Sequence, residues 1–208
     1  MIASASSPET FWEAARLLKQ GGLIAFPTET YYGLAVDPFN AQALQRLFTV
    51  KQRAANKPVL VLVHDQAQVR LLAEKVPAEL QRLMDRFWPG PLTVVYPAQK
   101  ELPALLTGGT GTIGIRQSPN LTAMRLLEEF GGPITATSAN HSGAAAAVTA
   151  AEVEAIFGKE LDLIINGGCT PGGAGSTLVA WDQQGLHCLR KGLISLAELG
   201  LEKLFSFA

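Results

Sequence analysis

Lys51, Gln52 and Arg53, with Lys57 close behind, put three cations in seven residues ahead of an apolar run at 59–63. Arg116 closes another apolar run. Ser138 and Asn140 lie in Thr137-Ser138-Ala139-Asn140-His141-Ser142-Gly143, and Ser176 and Arg190 flank two later runs. If a sheet gathers these strand ends at one edge, guanidinium, ammonium, hydroxyl and amide donors converge in a concave cationic site. Such a site suits a polyanion such as a nucleoside triphosphate. The same residue types also fit surface lysines and turn formers, and spacing alone favours that plainer reading. Other chemistry is poorly supported. His64, His141 and His187 share no metal-ligand spacing, and no serine sits in a G-x-S-x-G elbow. The glycine-rich stretches 107–112 and 167–177 lack a P-loop ending and a G-x-G-x-x-G placed after a strand. The first reads as a turn, and the second is long enough for a mobile loop over a site.

The elements that must position these groups follow from pattern. Ser7-Pro8-Glu9 starts a helix with Phe11, Ala14, Ala15 and Leu18 on one face, stopped at Gly21-Gly22. Residues 23–26 form a buried strand, and 27–33 leave its carboxyl end as an irregular polar segment. Asn40 caps a second helix. Strands are expected at 59–63, 92–96, 112–116, 134–137, 162–165, 177–180 and 186–189, the last two joined as a hairpin through Gln183-Gln184-Gly185. Helices are expected at 66–73, 77–87 and 121–130. Thr149-Ala150-Ala151-Glu152 and Ser195-Leu196-Ala197-Glu198 fit capping boxes, each opening a late helix. The pattern predicts an α/β fold, one domain over 1–208 with a twisted, mixed, largely open sheet flanked by helices.

Composition narrows the class. The chain has 208 residues, 17 Lys+Arg against 18 Asp+Glu, and a formal net charge of −1. That balance disfavours an extended nucleic-acid wrapper, an acidic tail or a polybasic membrane anchor. With 48% hydrophobic and 17% charged residues it reads as a packed globular protein. Cys169 and Cys188 are too few for a disulfide framework. The N-terminus lacks a signal peptide and no apolar run approaches a membrane span, so a soluble cytoplasmic protein without membrane contact is expected.

Seven blocks then occur in order: 26–34 (FPTETYYGL), Lys51-Gln52-Arg53, 88–93 (WPGPLT), Ile113-Gly114-Ile115-Arg116, the 137–143 stretch, Ser176-Thr177-Leu178-Val179 and Leu189-Arg190-Lys191-Gly192. Together they resemble the YrdC-like family, whose best-known members are threonylcarbamoyl-AMP synthases, with matching blocks over about 21–192. The resemblance implies a nucleotidyltransferase that joins L-threonine, bicarbonate and ATP into threonylcarbamoyl-adenylate and releases pyrophosphate. A downstream transferase complex would pass the group to tRNA. It implies Mg²⁺ carried by ATP, no metal held by the protein, and no obligatory general base. It places Lys51, Arg53, Ser138 and Asn140 at the triphosphate and reacting centre. Arg53, Lys57, Thr112, Ser138 and Arg190 would contact ATP. Thr30, Arg116, Ala136 and Ser176 would line a threonine pocket, with Arg116 gripping the carboxylate.

The chain departs from the family pattern at Tyr31, where valine is usual, and at Ala54, where proline is usual. Some synthases have a threonine-pocket histidine at the position of Leu62, and His64 is expected on the same strand face. The extra C-terminal domain of longer relatives is expected to be absent. The alternatives are an RNA-binding protein using the same basic hollow, which near-neutral charge disfavours, and a paralogue of altered activity, against which the intact Lys51, Arg53, Ser138 and Asn140 count.

Overall fold

Ile24–Pro27 (β2) is buried at every residue, as expected of a strand covered on both faces. Its alternation divides the interior. Leu23 and Ala25 enter one apolar cluster, and Ile24 and Phe26 enter another, beneath helices α1 (Pro8–Lys19) and α5 (Leu121–Phe130). The computed structural model describes residues 1–201. The remaining elements are β1 (Ile2–Ser4), β3 (Tyr32–Ala35), α2 (Ala41–Val50), β4 (Val61–Leu62), α3 (Ala78–Phe87), β5 (Leu92–Pro97), α4 (Ala104–Thr107), β6 (Thr112–Arg116), β7 (Ile134–Thr135), β8 (Thr137–Ser138), α6 (Ala150–Phe157), β9 (Leu163–Asn166), β10 (Thr177–Asp182) and β11 (Gly185–Arg190).

The mixed α/β class is as expected, but the single sheet is replaced by two. One runs β1-β9-β2-β3-β8 and the other β11-β10-β5-β6-β4-β7, each with parallel and antiparallel pairs. The division falls within the segment expected as one strand at 134–137. β7 pairs with β4, β8 pairs with β3, and Ala136 between them donates its N–H to Leu60 O at 2.8 Å. The chain thus crosses from one sheet to the other within five residues. No local pattern reveals this, because no glycine, proline or other turn former separates the two halves.

Three further differences matter for the site. The irregular segment expected at 27–33 shrinks to a turn over 28–31, closed by Thr28 N–H to Tyr31 O at 3.1 Å. The chain then returns antiparallel as β3, with Gly33 opposite Phe26. The expected 59–63 strand keeps regular pairing only at β4. The 66–73 helix is a 3₁₀ segment, Gln66–Leu71. At Ser195 the capping-box bonds form, Ser195 N–H to the Glu198 carboxylate at 2.8 Å and Glu198 N–H to Ser195 Oγ at 3.2 Å. Over the described residues 196–201 only turns follow, because Gly200 and Leu201 bond back to Ala197 and Leu196 and close the turn. Thr149 does open α6, and Asn40 caps α2 through the N–H groups of Gln42 and Ala43.

Candidate active site

Alternation along three strands of the second sheet builds the floor of a cavity of about 710 Å³. Thr93 and Val95 of β5, Thr112, Gly114 and Arg116 of β6 and Leu178 of β10 line it, while Val94, Ile113, Ile115 and Val179 turn into the core. Gly114 keeps the floor low, since a Cβ there would stand 3.3 Å from Thr93 Cγ2. The walls come from the 28–33 hairpin, residues 136–138, the stretch 173–176 and Arg190. The site therefore occupies a sheet face. It is not the row of strand ends that spacing suggested.

Of the residues singled out from sequence, Thr30, Arg53, Thr112, Arg116, Ala136, Ser138, Ser176 and Arg190 line this cavity, and Lys51, Lys57 and Asn140 do not. Lys57 is exposed and contributes its backbone carbonyl, which accepts from Arg53 Nε at 3.1 Å. Arg53 Nη2 donates to Pro58 O at 2.6 Å. Among the described residues no acceptor meets Nη1. These bonds splay the guanidinium across the cavity lining. If the cavity takes ATP, as the sequence resemblance implies, Arg53→Ala should raise the ATP KM about 10- to 100-fold, the range for losing a hydrogen bond to a charged group, with steady-state kinetics as the check.

Lys51 behaves differently from the solvent-facing cation that its neighbours suggest. It is 2% exposed, and its ammonium donates to Ser138 O at 2.5 Å, Asn140 O at 2.8 Å and Asn140 Oδ1 at 2.7 Å. Burial, and secondarily the Arg53 charge, pull its pKa down to about 7. Three acceptors are served only by the charged amine, so the ammonium form is the one that ties the 138–140 loop together. Asn140 Oδ1 also accepts from Ser138 Oγ at 2.7 Å, and its Nδ2 donates to Ala144 O at 2.6 Å. Lys51 and Asn140 thus form a bracket behind Ser138, which alone of the three faces the cavity.

The other end of the cavity holds a buried ion pair. Arg116 Nη1 lies 3.2 Å from Glu29 Oε1, with side chains 6% and 12% exposed. Ser118 Oγ donates to the second Glu29 oxygen at 2.5 Å. Burial lowers the Arg116 pKa, Glu29 opposes that, and Arg190 adds to it. Arg116 Nε is buried without a hydrogen-bond partner among the described residues, a costly state unless a ligand supplies the acceptor. Nearby, Ser176 Oγ pairs with Thr93 Oγ1 at 2.8 Å and accepts from Arg190 Nη2 at 3.1 Å. Thr28 and Thr30 hydroxyls lie 3.1 Å apart.

The model of the Sua5/YciO/YrdC family, described as "Telomere recombination", matches residues 16–192. The chain belongs to this family. Among Sua5/YciO/YrdC relatives, the threonylcarbamoyl-AMP synthase of Pyrococcus abyssi is 37% identical over 186 residues, covering 89% of this chain and 55% of that protein. The chain thus spans about half the length of that relative. The threonylcarbamoyl-AMP synthase of Coxiella burnetii (strain RSA 493) is 39% identical over 160 residues, covering 76% of this chain and 86% of that one. P. abyssi Sua5 complexed with L-threonine superposes with a TM-score of 0.91 at 34% identity, over 99% of this chain and 61% of that one. E. coli YciO gives a TM-score of 0.84 at 25% identity, over 95% and 97%.

Against the Sua5/YciO/YrdC pattern, Leu62 is fully buried in the cluster beneath α1 and α5. His64 also lies outside the cavity lining, its Nδ1 3.7 Å from Asp65 Oδ2. Neither supplies an imidazole to the site. Sequence reasoning passes over Glu29, Ser118 and Thr93. Two of them left a signal: Glu29 is a lone carboxylate between threonines at the end of a buried strand, and Thr93 interrupts the apolar run 92–96.

Proposed function

We propose that this chain is a threonylcarbamoyl-AMP synthase, a nucleotidyltransferase making threonylcarbamoyl-adenylate from L-threonine, bicarbonate and ATP, the first step of threonylcarbamoyladenosine formation in tRNA. The carrying observation is Arg116, a buried guanidinium in the cavity wall with Nε unpartnered. It offers a planar grip for an amino-acid carboxylate in the same cavity as a second set of donors, Arg53, Thr112, Ser138 and Arg190. The cavity volume falls within the range of small-ligand sites. In this reading Thr30, Ala136 and Ser176 surround threonine, and the Arg53 set receives the phosphates.

The chemistry matches what the lining can and cannot do. Threonine's free amine attacks bicarbonate carbon, water leaves, and a carbamate forms. A carbamate oxygen then attacks the α-phosphorus, the bond to the bridging oxygen breaks, and pyrophosphate departs. Among the described residues the lining has no carboxylate, imidazole or lysine amine, so in this reading its residues hold and screen anions and move no proton. Fixed cations offset the repulsion between carbamate and phosphate, and positioning carries most of the rate. The same lack of carboxylates means these residues suit phosphate oxygens and do not suit Mg²⁺. Magnesium would arrive on the nucleotide as part of the substrate.

We further read residues 1–208 as one working unit in the cytoplasm that hands its product to a separate tRNA-modifying complex. No helix among the described residues is long and apolar enough to cross a membrane. The test is pyrophosphate release from purified protein with ATP, bicarbonate, Mg²⁺ and L-threonine. Release that ignores threonine sinks the reading. Salt-resistant duplex-RNA binding without turnover would instead favour the RNA-binding alternative.

A further inference from the structure

Within the glycine-rich stretch 167–175, Gly173, Ala174 and Gly175 line the cavity, and only Thr170 and Gly172 are buried. Gly172 and Gly173 sit at φ +70° and +93°, a region other residues rarely adopt. The stretch is ordered by a few hydrogen bonds. Tyr32 Oη donates to Gly168 O at 2.7 Å, Thr170 N–H to Val148 O at 2.9 Å, and Gly172 N–H to Thr30 O at 2.6 Å. Leu193 N–H reaches Gly175 O at 2.9 Å. Between Gly172 and Gly175 the side-chain tie among the described residues is Tyr31, whose hydroxyl donates to Gly173 O. The Tyr31 ring lies against the same place, 3.6 Å from where a Gly172 Cβ would stand.

We propose that Tyr31 is a positioning residue that fastens the 173–175 wall to the 28–31 turn and thereby fixes Ser176 for the amino-acid substrate. Thr30 on one side of the tie and Gly173, Ala174, Gly175 and Ser176 on the other all line the cavity. Ser176 in turn bonds Thr93 and Arg190, so a loosened wall disturbs the end of the cavity next to Arg116. The valine usual at this position in the resembling family has no hydroxyl to make this tie. The kinetic consequence rests on the synthase reading, whereas the tie itself does not.

Tyr31→Phe keeps the ring and removes the hydroxyl, so the fold should survive. Amide hydrogen exchange on the ligand-free protein should quicken about three- to tenfold at residues 172–175, as for the loss of one ordinary hydrogen bond, and stay unchanged in β5 and β6. Tyr31→Val should quicken it further, because the ring contact with Gly172 goes too. In the pyrophosphate assay the threonine KM should rise about three- to tenfold, with kcat within twofold. Unchanged exchange in both variants overturns the tie. Faster exchange with an unchanged threonine KM in an active protein overturns the positioning role. Absence of threonine-dependent turnover in the wild type removes the synthase reading, and exchange still decides whether Tyr31 holds the wall.

Discussion

On the proposed synthase function, Arg116→Gln should lower kcat/KM for threonine by at least about 100-fold, the scale for removing one partner of a buried charge pair from a binding site. Two losses combine. The carboxylate grip disappears, and Glu29 is left buried beside a neutral amide with Ser118 as its remaining hydrogen-bond partner. The second loss should also cost about 3–5 kcal/mol of stability, visible as a lower thermal midpoint. Adding Glu29→Gln separates the two, because a neutral pair no longer contains an unpaired charge. The double variant should recover much of the stability and none of the threonine-dependent turnover. A double variant that regains turnover would place the carboxylate elsewhere. A coupling of this kind, between groups in direct contact, is what a double-mutant cycle measures.

Lys51→Met should be nearly as damaging by a different route. Methionine fills most of the buried stem and makes none of the three hydrogen bonds. Ser138 O keeps Asn140 N–H at 3.0 Å, and Asn140 Oδ1 keeps Ser138 Oγ. Asn140 O is left with no donor among the described residues, a cost of about 1–3 kcal/mol for a buried acceptor. That lowers the melting temperature by about 5 °C in a chain this long. The released loop carries Ser138 away from its place in the cavity wall, and a shift near 1 Å is enough to cost about 100-fold in rate. The expected pattern is therefore a folded, slightly less stable protein with kcat down about 100-fold. Full activity in this variant would show that Ser138 keeps its place without the bracket. Since Lys51 never touches the cavity, the ATP KM should move far less than in Arg53→Ala.

The contrast between Lys51 and Arg53 shows where residue patterns stop being informative. Both are cations at the end of α2, two residues apart, and nothing local says that one turns inward and the other faces the cavity. Burial is decided by the 138–140 loop, more than eighty residues away. The strands that form the floor were legible, because β5, β6 and β10 carry apolar runs bounded by turn formers. The period-two rule even implies that Thr93, Thr112 and Arg116 face away from the core. The division into two sheets was not legible, since it hinges on the crossing at Ala136 within the continuous β-forming stretch Ile134-Thr135-Ala136-Thr137, which holds no turn former. β3 was hidden because Thr28, Glu29 and Thr30 make the hairpin turn look like the start of a longer loop. At Ser195 a sound helix-start signal was overruled by a glycine five residues on.

The five-residue crossing at 134–138 also ties function to folding. Because one short segment pairs with β4 on one side and β3 on the other, opening it unpairs an edge of both sheets at once. The same opening takes Ala136, Thr137 and Ser138 out of the cavity wall. A saturating ligand should therefore protect amides at both sheet edges, in β7 and β8, as well as those lining the site.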